Sequence, residues 1–360
     1  MSGGARPDDF EIEEIPLFAP AGRGDHAWLQ VEKCLHTTEE VVRMLARRAG
    51  VRPRDVGYAG RKDRVAVARQ WFSVPGGGSW VLAGELAPGV RVLAATRHPH
   101  KLRIGQLRGN RFRLRLRGVP PAVLPAARER LAEIGRRGLP NRFGPQRYGR
   151  DGANPARGLR ILLGELRPRD RRHARFLVSA LQAAVFDEVL HSRPLELDDV
   201  EAGEIVRLEE SGGSFVVEDV AEVRERVRRF EVSPTGPIFG SRTLEPRGAA
   251  RVREQEALAR WGVPAELAAR PPRGLRLRGG RRPLRVRVRN PELRVLPGPS
   301  GAGAVAELDF ELPAGSFASV LLEEVLPGAA LPGAPRGPAA EPGVRGRSPS
   351  GGGPEPAGRE

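Results

Sequence analysis

One carboxylate, Asp63, lies among cations in a short turn between two apolar stretches, which makes it the first candidate for chemistry. Its neighbours in the turn are Gly60, Arg61, Lys62 and Arg64. Adjacent cations keep a carboxylate ionised even where the site is partly desolvated, and a glycine lets a ligand approach the chain closely. An ionised, positioned carboxylate can act as a nucleophile or a base. A surface turn held by salt bridges would use the same residue types.

A second candidate segment, residues 141–154, combines aromatic rings, amides and arginines with several glycines. Its members include Asn141, Phe143 and Arg147. Aromatic rings stack on nucleic-acid bases, amides read base edges, and arginines hold phosphates. The composition therefore indicates contact with RNA, although a polar connecting loop without a function is the other interpretation.

Cations dominate the segment 98–112 and the alternating stretch 110–117. Lys101 and Arg103 suit contacts with phosphates. In the alternating stretch, apolar side chains take turns with arginines, which predicts a half-buried strand with a basic outer face. Because like charges on one sheet face repel each other, a phosphate partner would relieve that cost. A merely solvated face is the alternative.

The overall composition limits the class of protein and of partner. A formal charge of +16 favours a polyanionic partner. The chain shows no basic amphipathic helix flanked by aromatic residues, so we expect nucleic acid rather than a membrane. A secretory leader pattern is absent, and no apolar run approaches the roughly 18 residues of a spanning helix. We therefore expect a cytoplasmic protein.

Metal and thiol chemistry are poorly supported. The single cysteine, Cys34, excludes an intramolecular disulfide and a Cys-rich zinc site. Cys34 stands near His36, but a structural role is the commoner fate of one cysteine. His98 and His100 lack a third ligand at suitable spacing. With no phosphate-binding loop or dinucleotide fingerprint either, we expect no metal and no cofactor.

The basic residues are almost all arginines, and the few lysines are Lys33, Lys62 and Lys101. A coding bias that replaces lysine wherever either residue will serve explains this. Under that bias, a surviving lysine marks a site that needs a compact ammonium.

The elements that must position these segments alternate between strands and helices, and the length of 360 residues favours two domains. The last segment, 329–360, is rich in proline and glycine and predicts a disordered tail. Strands are predicted within 10–33 and at 55–59, 70–74, 89–97, 110–117, 283–289 and 305–312, and helices within 37–50, 120–137, 171–191, 220–230, 249–261 and 315–326.

Several long motifs resemble, in the same order, those of the TruD family of pseudouridine synthases. The most specific are Gly57–Val74, Asn141–Gly149 and Lys101–Phe112, and shorter matches lie at 10–14, 22–26, 236–240 and 312–318. The sequence departs from the family pattern at Ala68, where threonine is usual, at Asp187, where asparagine is common, and at Arg61. The region between the motifs also looks shorter than in many relatives.

This resemblance implies an α/β (α+β) fold in which a catalytic domain, with a mixed, largely antiparallel sheet flanked by helices, is interrupted by an insertion domain. The implied boundaries are 1–166 and 296–328 for the catalytic domain, 167–295 for the insertion domain and 329–360 for the tail. RNA would lie in the cleft between the domains. We expect a monomer that acts on transfer RNA.

The resemblance also implies an isomerase that converts uridine 13 of transfer RNA to pseudouridine, with Asp63 as the catalytic residue. Phe143 falls on the ring expected to stack on the target base, and Asn141 lies beside it. The remaining residues expected to bind RNA are Lys33, Lys62, Arg147, Lys101 and Arg103. The alternatives are a non-catalytic RNA-binding or RNA-folding protein and a pseudouridine synthase for another RNA.

Overall fold

The computed structural model describes residues 6–76, 84–297 and 305–332. Its strands are β1 (Phe10–Pro16), β2 (His26–Lys33), β3 (Gly57–Tyr58), β4 (Val67–Pro75), β5 (Gly84–Ala87), β6 (Val90–His98), β7 (Leu107–Arg117), β8 (Leu139–Pro140), β9 (Ile205–Leu208), β10 (Ser214–Val216), β11 (Val232–Ile238), β12 (Gly280–Pro283), β13 (Arg285–Val286), β14 (Arg289–Leu296) and β15 (Val305–Pro313). Its α-helices are α1 (Thr38–Ala49), α2 (Leu124–Arg137), α3 (Asn154–Leu162), α4 (Arg171–Ser192), α5 (Val220–Arg228), α6 (Gly248–Arg260), α7 (Ala265–Ala269) and α8 (Ala318–Val325).

Nine of these strands form one large mixed sheet in the order β14-β15-β7-β1-β4-β2-β6-β5, with β3 attached to β4. Only β1 and β4 run parallel among the described pairs of this sheet. A parallel pair needs a crossover connection, and that connection contains β2, α1 and β3. The predicted mixed, largely antiparallel sheet with flanking helices is confirmed.

Helices cover one face of the large sheet and create two apolar cores. Under α2 and α8, strands β1, β7 and β15 bury residues such as Phe10 and Leu114. Under α1, strands β2 and β4 bury Leu29 and Phe72. Because side chains alternate along a strand, these residues define the interior face of the sheet.

Helix α1 has the ends that its sequence predicts. The Glu40 amide donates to the Thr37 hydroxyl at 3.2 Å, and the Thr37 amide donates to the Glu40 carboxylate at 2.6 Å, which completes a capping box. At the other end, Gly50 has φ of 66°, a left-handed conformation that favours glycine. The defined start of the helix fixes the first helical residue, Thr38, over the interior face of the sheet.

The outer face of β7 carries the arginines of the alternating stretch, but their charges are already paired within the protein. The pairs join Arg111 and Arg113 to Asp309, Arg115 to Glu307 and Arg117 to Asp9, with distances from 2.7 to 3.2 Å. Carboxylates at or beside the neighbouring strands β15 and β1 thus offset the repulsion that we had expected a phosphate to relieve. That expectation is corrected.

A second unit contains the smaller sheet β10-β9-β11-β12 and helices α3 to α7. Helix α4 packs against α3, α6 and β11 and supplies much of the unit's apolar core. Most of the predicted insertion domain, 167–295, lies here. Strand β14, which includes residues 289–295, pairs instead with β15 in the large sheet. The exact domain division stays a prediction.

The predicted strand 283–289 is divided among β12, β13 and β14. Its three apolar residues are buried, as the alternation predicts. Arg285, expected on the outer face, is fully buried as well, so this part of the prediction is wrong. Its guanidinium carbon lies 3.8 Å from the centroid of the Phe230 ring, and its Nη1 donates to the Arg137 carbonyl at 2.8 Å. These contacts turn the side chain inward.

The described chain continues a little past α8. Ala329 and Leu331 pack against the core beneath α2 and α8, so the beginning of the predicted tail is attached to the large sheet. Residues 333–360 of that tail lie outside the described residues. Within the described ranges, none of the helices combines the length and apolar character needed to cross a membrane.

Candidate active site

Three buried polar side chains interrupt the interior face of the large sheet between its two apolar cores. Glu14, Lys33 and Gln70 project from β1, β2 and β4 and are 0 to 3% exposed. Buried polar groups require hydrogen-bonding partners, and these find theirs largely in or beside the turn 59–66. We call the three residues the polar floor, because they lie beneath the turn that carries Asp63.

The turn is held from below at four points. The Gln70 amide donates to the Gly60 carbonyl (3.4 Å), the Lys62 amide to the Thr38 hydroxyl (3.1 Å), the Lys62 ammonium to Glu14 (2.6 Å) and the Lys33 ammonium to the Asp63 carbonyl (2.6 Å). The Asp63 side chain is exposed, and its carboxylate has no hydrogen bond or ion pair with any described residue. The backbone of this residue is therefore fixed while its carboxylate is free to meet a ligand.

Lys33 and Lys62, both expected to contact RNA, lie under the turn rather than on its surface. The Lys62 side chain is 4% exposed and forms a buried ion pair with Glu14. Lys33 is 0% exposed, and it also donates to the His36 carbonyl at 2.8 Å. Burial lowers the pKa of Lys33 to about 8, although the nearby Asp63 opposes this. A direct RNA contact by either lysine stays a prediction.

The loop 101–107 supports the same turn from the other side. The Gly105 amide donates to the Ala59 carbonyl at 2.8 Å, and the Lys101 ammonium donates to the Arg54 carbonyl at 2.6 Å. Arg103 is exposed and forms no ion pair with the described residues. Lys101 and Arg103, both predicted to contact phosphates, thus lie on the loop that supports the turn. The Lys101 ammonium is hydrogen-bonded within the protein, whereas the Arg103 side chain has no ion pair with the described residues.

Asn141 and Phe143 form a second cluster with a residue that sequence reasoning missed, Arg282. Asn141 is buried and donates from its amide side chain to the Pro283 carbonyl at 2.9 Å. The Arg282 guanidinium donates to the Asn141 side-chain oxygen and lies 4.3 Å from the centroid of the Phe143 ring. Arg282 belongs to a run of arginines in which no sequence feature distinguishes it.

Asp187, noted in the sequence only as a departure from the family pattern, faces the same cluster. The Phe143 amide donates to both of its carboxylate oxygens, and the Tyr148 hydroxyl donates to one of them. Burial raises the pKa of Asp187 to about 6 and also raises that of Tyr148. A half-buried carboxylate therefore anchors the segment that carries the predicted stacking ring.

A groove of about 960 Å³ lies beside the cluster of Asn141, Phe143 and Arg282, and Asp63 is not among its lining residues. Phe143 and Arg147 line it, and Arg147 Nε is buried without a hydrogen-bonding partner among the described residues. Ile15, which follows Glu14 of the polar floor, lines the same groove. The additional cations along it are Arg108, Arg207, Arg281, Arg282, Arg285, Arg287 and Arg289, against the acidic Glu209, Glu210 and Glu311. The groove therefore has an excess of positive charge.

Neither the metal site nor the thiol nucleophile that we weighed finds support in the described residues. No group of three or more His, Cys, Asp or Glu side chains there is arranged to hold a metal ion. The His98 ring stacks on Trp28 with centroids 4.0 Å apart. His36 Nδ1 lies 2.8 Å from the Cys34 carbonyl, and burial raises the pKa of the Cys34 thiol, which disfavours the reactive thiolate.

Comparison with known proteins gives consistent matches along the chain. The family model for tRNA pseudouridine synthase D (TruD) matches residues 4–169 and 166–325. A tRNA pseudouridine synthase D from Anaeromyxobacter sp. (strain Fw109-5) is 42% identical over 343 residues, which cover 92% of this chain and 95% of the relative. Another, from Thermus thermophilus, is 40% identical over 324 residues, covering 89% and 87%.

A crystal structure from Methanosarcina mazei, of a protein assigned as tRNA pseudouridine synthase D, has the same fold. Its TM-score is 0.73 at 20% identity, and the match covers 90% of this chain and 94% of that one. The shared fold and the similar relatives together define a pseudouridine synthase, which is an isomerase. Within that class, this chain belongs to the tRNA pseudouridine synthase D (TruD) family, since the family model and the relatives match most of its length.

Proposed function

We propose that this chain isomerises uridine 13 of transfer RNA to pseudouridine without a cofactor, with Asp63 as the catalytic carboxylate. Membership of the family supports pseudouridine formation in transfer RNA. The observation that carries the role of Asp63 is its environment, because the turn is fixed at four points while the carboxylate is exposed and unpaired among the described residues. Uridine 13 is proposed from the resemblance of the motifs.

The reaction breaks the bond between uracil N1 and ribose C1′ and joins C5 to C1′. The proton at C5 is released and N1 gains one, so the isomerisation needs neither an oxidant nor added water. Asp63 can attack C1′ as a nucleophile, remove a proton from C2′ as a base, or attack uracil C6. The exposed carboxylate is compatible with all three, and water must be excluded while the glycosidic bond is open.

In this proposal, residues of the groove bind the nucleotide on which Asp63 acts. Flipping a base out of its stack costs a few kcal/mol, and stacking on an aromatic ring returns about 1 to 3 kcal/mol. We assign that ring to Phe143, with Asn141 beside it. Arg147 and Arg103 are assigned to phosphates, because both present guanidinium groups without an ion pair in the described ranges.

The test replaces Asp63 by asparagine and supplies RNA labelled with tritium at uridine C5, because isomerisation releases that label. Asp63→Asn should reduce release to background while the RNA dissociation constant changes by about twofold or less, since no phosphate contact is lost. Glu129→Gln is the matched control, since it removes an exposed carboxylate from α2 and should leave the rate unchanged. Turnover by Asp63→Asn would show that another group performs the chemistry.

The same assay separates the competing functions. A non-catalytic RNA-binding or RNA-folding protein would bind transfer RNA with no tritium release by the unmodified chain. A synthase for another RNA would release tritium only from that RNA. Mapping of modified uridines in RNA from a deletion strain identifies the substrate, and loss of the modification at position 13 of transfer RNA is the expected result.

A further inference from the structure

Two motif matches to which the proposed function gives no role, 236–240 and 312–318, come together at Arg282. Arg282 lies on β12, where it pairs with Gly236 of the first match. Its Nη2 donates to the Gly315 carbonyl of the second match at 3.1 Å. The side chain therefore connects the small sheet of the second unit to the loop that follows β15 of the large sheet.

The same guanidinium holds the segment that carries Phe143. Its Nε and Nη2 donate to the Asn141 carbonyl at 3.2 and 3.1 Å, and Nη2 also donates to the Asn141 side-chain oxygen. Burial lowers the pKa of Arg282 to about 10, although the nearby Asp187 opposes this, so the group is a cation at neutral pH. A planar fork that binds several acceptors has a defined orientation, which a single ammonium does not reproduce.

The oriented guanidinium covers one face of the Phe143 ring. Its central carbon lies 4.3 Å from the ring centroid, which is within the range of a cation–π contact. Phe186 meets the same ring edge-on, with centroids 5.7 Å apart and an interplanar angle of 86°. A Cβ at Gly236 would lie 2.9 Å from the Phe186 ring, so the glycine gives that ring its space. Arg282 and Phe186 together define the position and the tilt of the Phe143 ring.

We propose that Arg282 is a positioning residue that orients the Phe143 ring and leaves its opposite face to the target uracil. This inference rests on the proposed function, in which Phe143 is the stacking ring. Phe143 is partly exposed and lines the groove, so a base can approach it there. Without the guanidinium, the ring can turn and both faces are open, so the uracil would be bound in more than one place. The rate should then fall while the phosphate contacts that set RNA affinity remain.

The central experiment compares Arg282→Ala with the unmodified chain by tritium release under single-turnover conditions with enzyme in excess. Arg282→Ala should be about tenfold to a hundredfold slower, because a misplaced reacting group has an effect of that order. Its RNA dissociation constant should stay within about twofold, since no phosphate contact is lost. Millimolar guanidinium chloride should raise the rate of Arg282→Ala above that in sodium chloride of the same ionic strength, because the free ion can occupy the vacated place. A general loss of stability would not be recovered in this way.

Arg278→Ala is the matched control, since Arg278 is an exposed arginine shortly before β12 and is not among the lining residues of the groove. It removes the same charge and should keep the rate in both salts. Arg282→Lys is a second variant that keeps the charge without the planar fork, and it should stay slower than the unmodified enzyme. In the double variant with Phe143→Leu, Arg282→Ala should add little to the loss, because it acts through that ring.

Several results would overturn the inference. One is an Arg282→Ala variant with the rate of the unmodified enzyme. Another is a normal rate at saturation with a salt slope reduced by about 0.7 to 0.9, which would make Arg282 a phosphate contact. A third is a loss that guanidinium does not reverse and that adds fully to the loss from Phe143→Leu. Should Arg282→Ala fail to fold, Arg282→Lys decides, and a full rate in that variant overturns the inference.

Phe143→Leu separates this inference from the proposed function. Full activity of Phe143→Leu would remove the stacking role of Phe143 itself. A large loss in Phe143→Leu beside an unaffected Arg282→Ala would contradict only the role of Arg282.

Discussion

Asp63 and Asp187 are both acidic residues near cations, yet their surroundings fit different roles. Asp63 is exposed, and its carboxylate accepts no hydrogen bond from the described residues. Asp187 is half-buried and accepts from Phe143 and Tyr148. A carboxylate whose oxygens are occupied by the protein is suited to holding structure, whereas one whose backbone alone is fixed can approach a substrate. The contrast explains why we assign the chemistry to Asp63 and not to Asp187.

Lys33 should set an alkaline limit on the reaction. Burial lowers its pKa from the ordinary 10.5 to about 8, so the ammonium beneath Asp63 loses its proton above that pH. A charge-assisted hydrogen bond to the Asp63 carbonyl is then replaced by a weaker neutral one. We expect kcat to fall as the pH rises through about 8, and Lys33→Met to be slow at every pH without that step.

Measurement of tritium release from about pH 6.5 to 9.5 checks this expectation, since that range spans the lowered pKa. Lys101→Met is the control, because the Lys101 ammonium binds the Arg54 carbonyl outside the polar floor and its loss should leave the alkaline step in place. A rate that stays constant across the whole range in the unmodified enzyme would contradict the role of Lys33.

At the scale of single elements, the sequence predicts where strands and helices lie but not how their polar residues are used. The helix after Thr37 is predicted by its capping box because capping is a local interaction. The polar floor is not predicted in this way. The alternation of side chains along a strand assigns Glu14, Lys33 and Gln70 to one sheet face, but it does not show which segment of the chain packs over them. Arg285 shows the same limit, because its burial depends on Phe230, which belongs to another element.

The buried ion pair between Lys62 and Glu14 should be costly to break from one side. Lys62→Met leaves a buried carboxylate unpaired, which costs about 3 to 5 kcal/mol in the free energy of unfolding. In the double variant, Glu14→Gln removes that charge and keeps an acceptor for the Trp71 amide. We expect the double variant to recover at least half of the lost stability.

Urea unfolding of the unmodified protein, the two single variants and the double variant at neutral pH gives the coupling free energy between Lys62 and Glu14 as a double-mutant cycle. The coupling depends on both residues being buried, as their side-chain exposures of 4% and 1% indicate. If the losses from Lys62→Met and Glu14→Gln simply add, the pair does not hold the turn to the sheet.

On the scale of the whole molecule, the net charge of +16 is not spread evenly. On the outer face of the large sheet, three arginines of β7 are paired with carboxylates of β15 that are far away in sequence, such as Arg113 with Asp309, 196 residues apart, and Arg117 is paired with Asp9. The groove has an excess of arginines over carboxylates. Composition predicts a polyanionic partner, but only the fold shows which cations are left for it.

The residues of the candidate site also fall into two groups, those that the sequence predicts and those that only the fold reveals. Asp63 and the segment with Phe143 are identified by motifs, because their residues are close together in the sequence. Arg282 is not, since it meets Asn141 across 141 residues of chain. Contacts of that separation depend on the fold and leave no local pattern.

The uneven charge predicts which arginines contribute to the salt dependence of RNA binding. Arg147→Gln and Arg103→Gln should each weaken binding and reduce the slope of log affinity against log salt by about 0.7 to 0.9, the value for one neutralised phosphate. Arg113→Gln should change neither quantity noticeably, because its partner Asp309 already neutralises it. Filter binding of transfer RNA between about 50 and 200 mM salt measures the slopes.

An equal loss of slope in Arg113→Gln would show that RNA reaches the outer sheet face after all. In that case the ion pairs with β15 would have to open during binding.

The burial of Lys33 and Lys62 affects how this enzyme can be attached to a probe or a surface. Among its lysines, Lys33 and Lys62 are buried and Lys101 is partly exposed, so reagents that acylate lysine side chains should react at Lys101. Lys101 lies on the loop that supports the turn carrying Asp63. Sensor chips and fluorophores coupled through amines would therefore be attached beside the turn that carries Asp63, and a peptide tag is the better anchor for binding measurements.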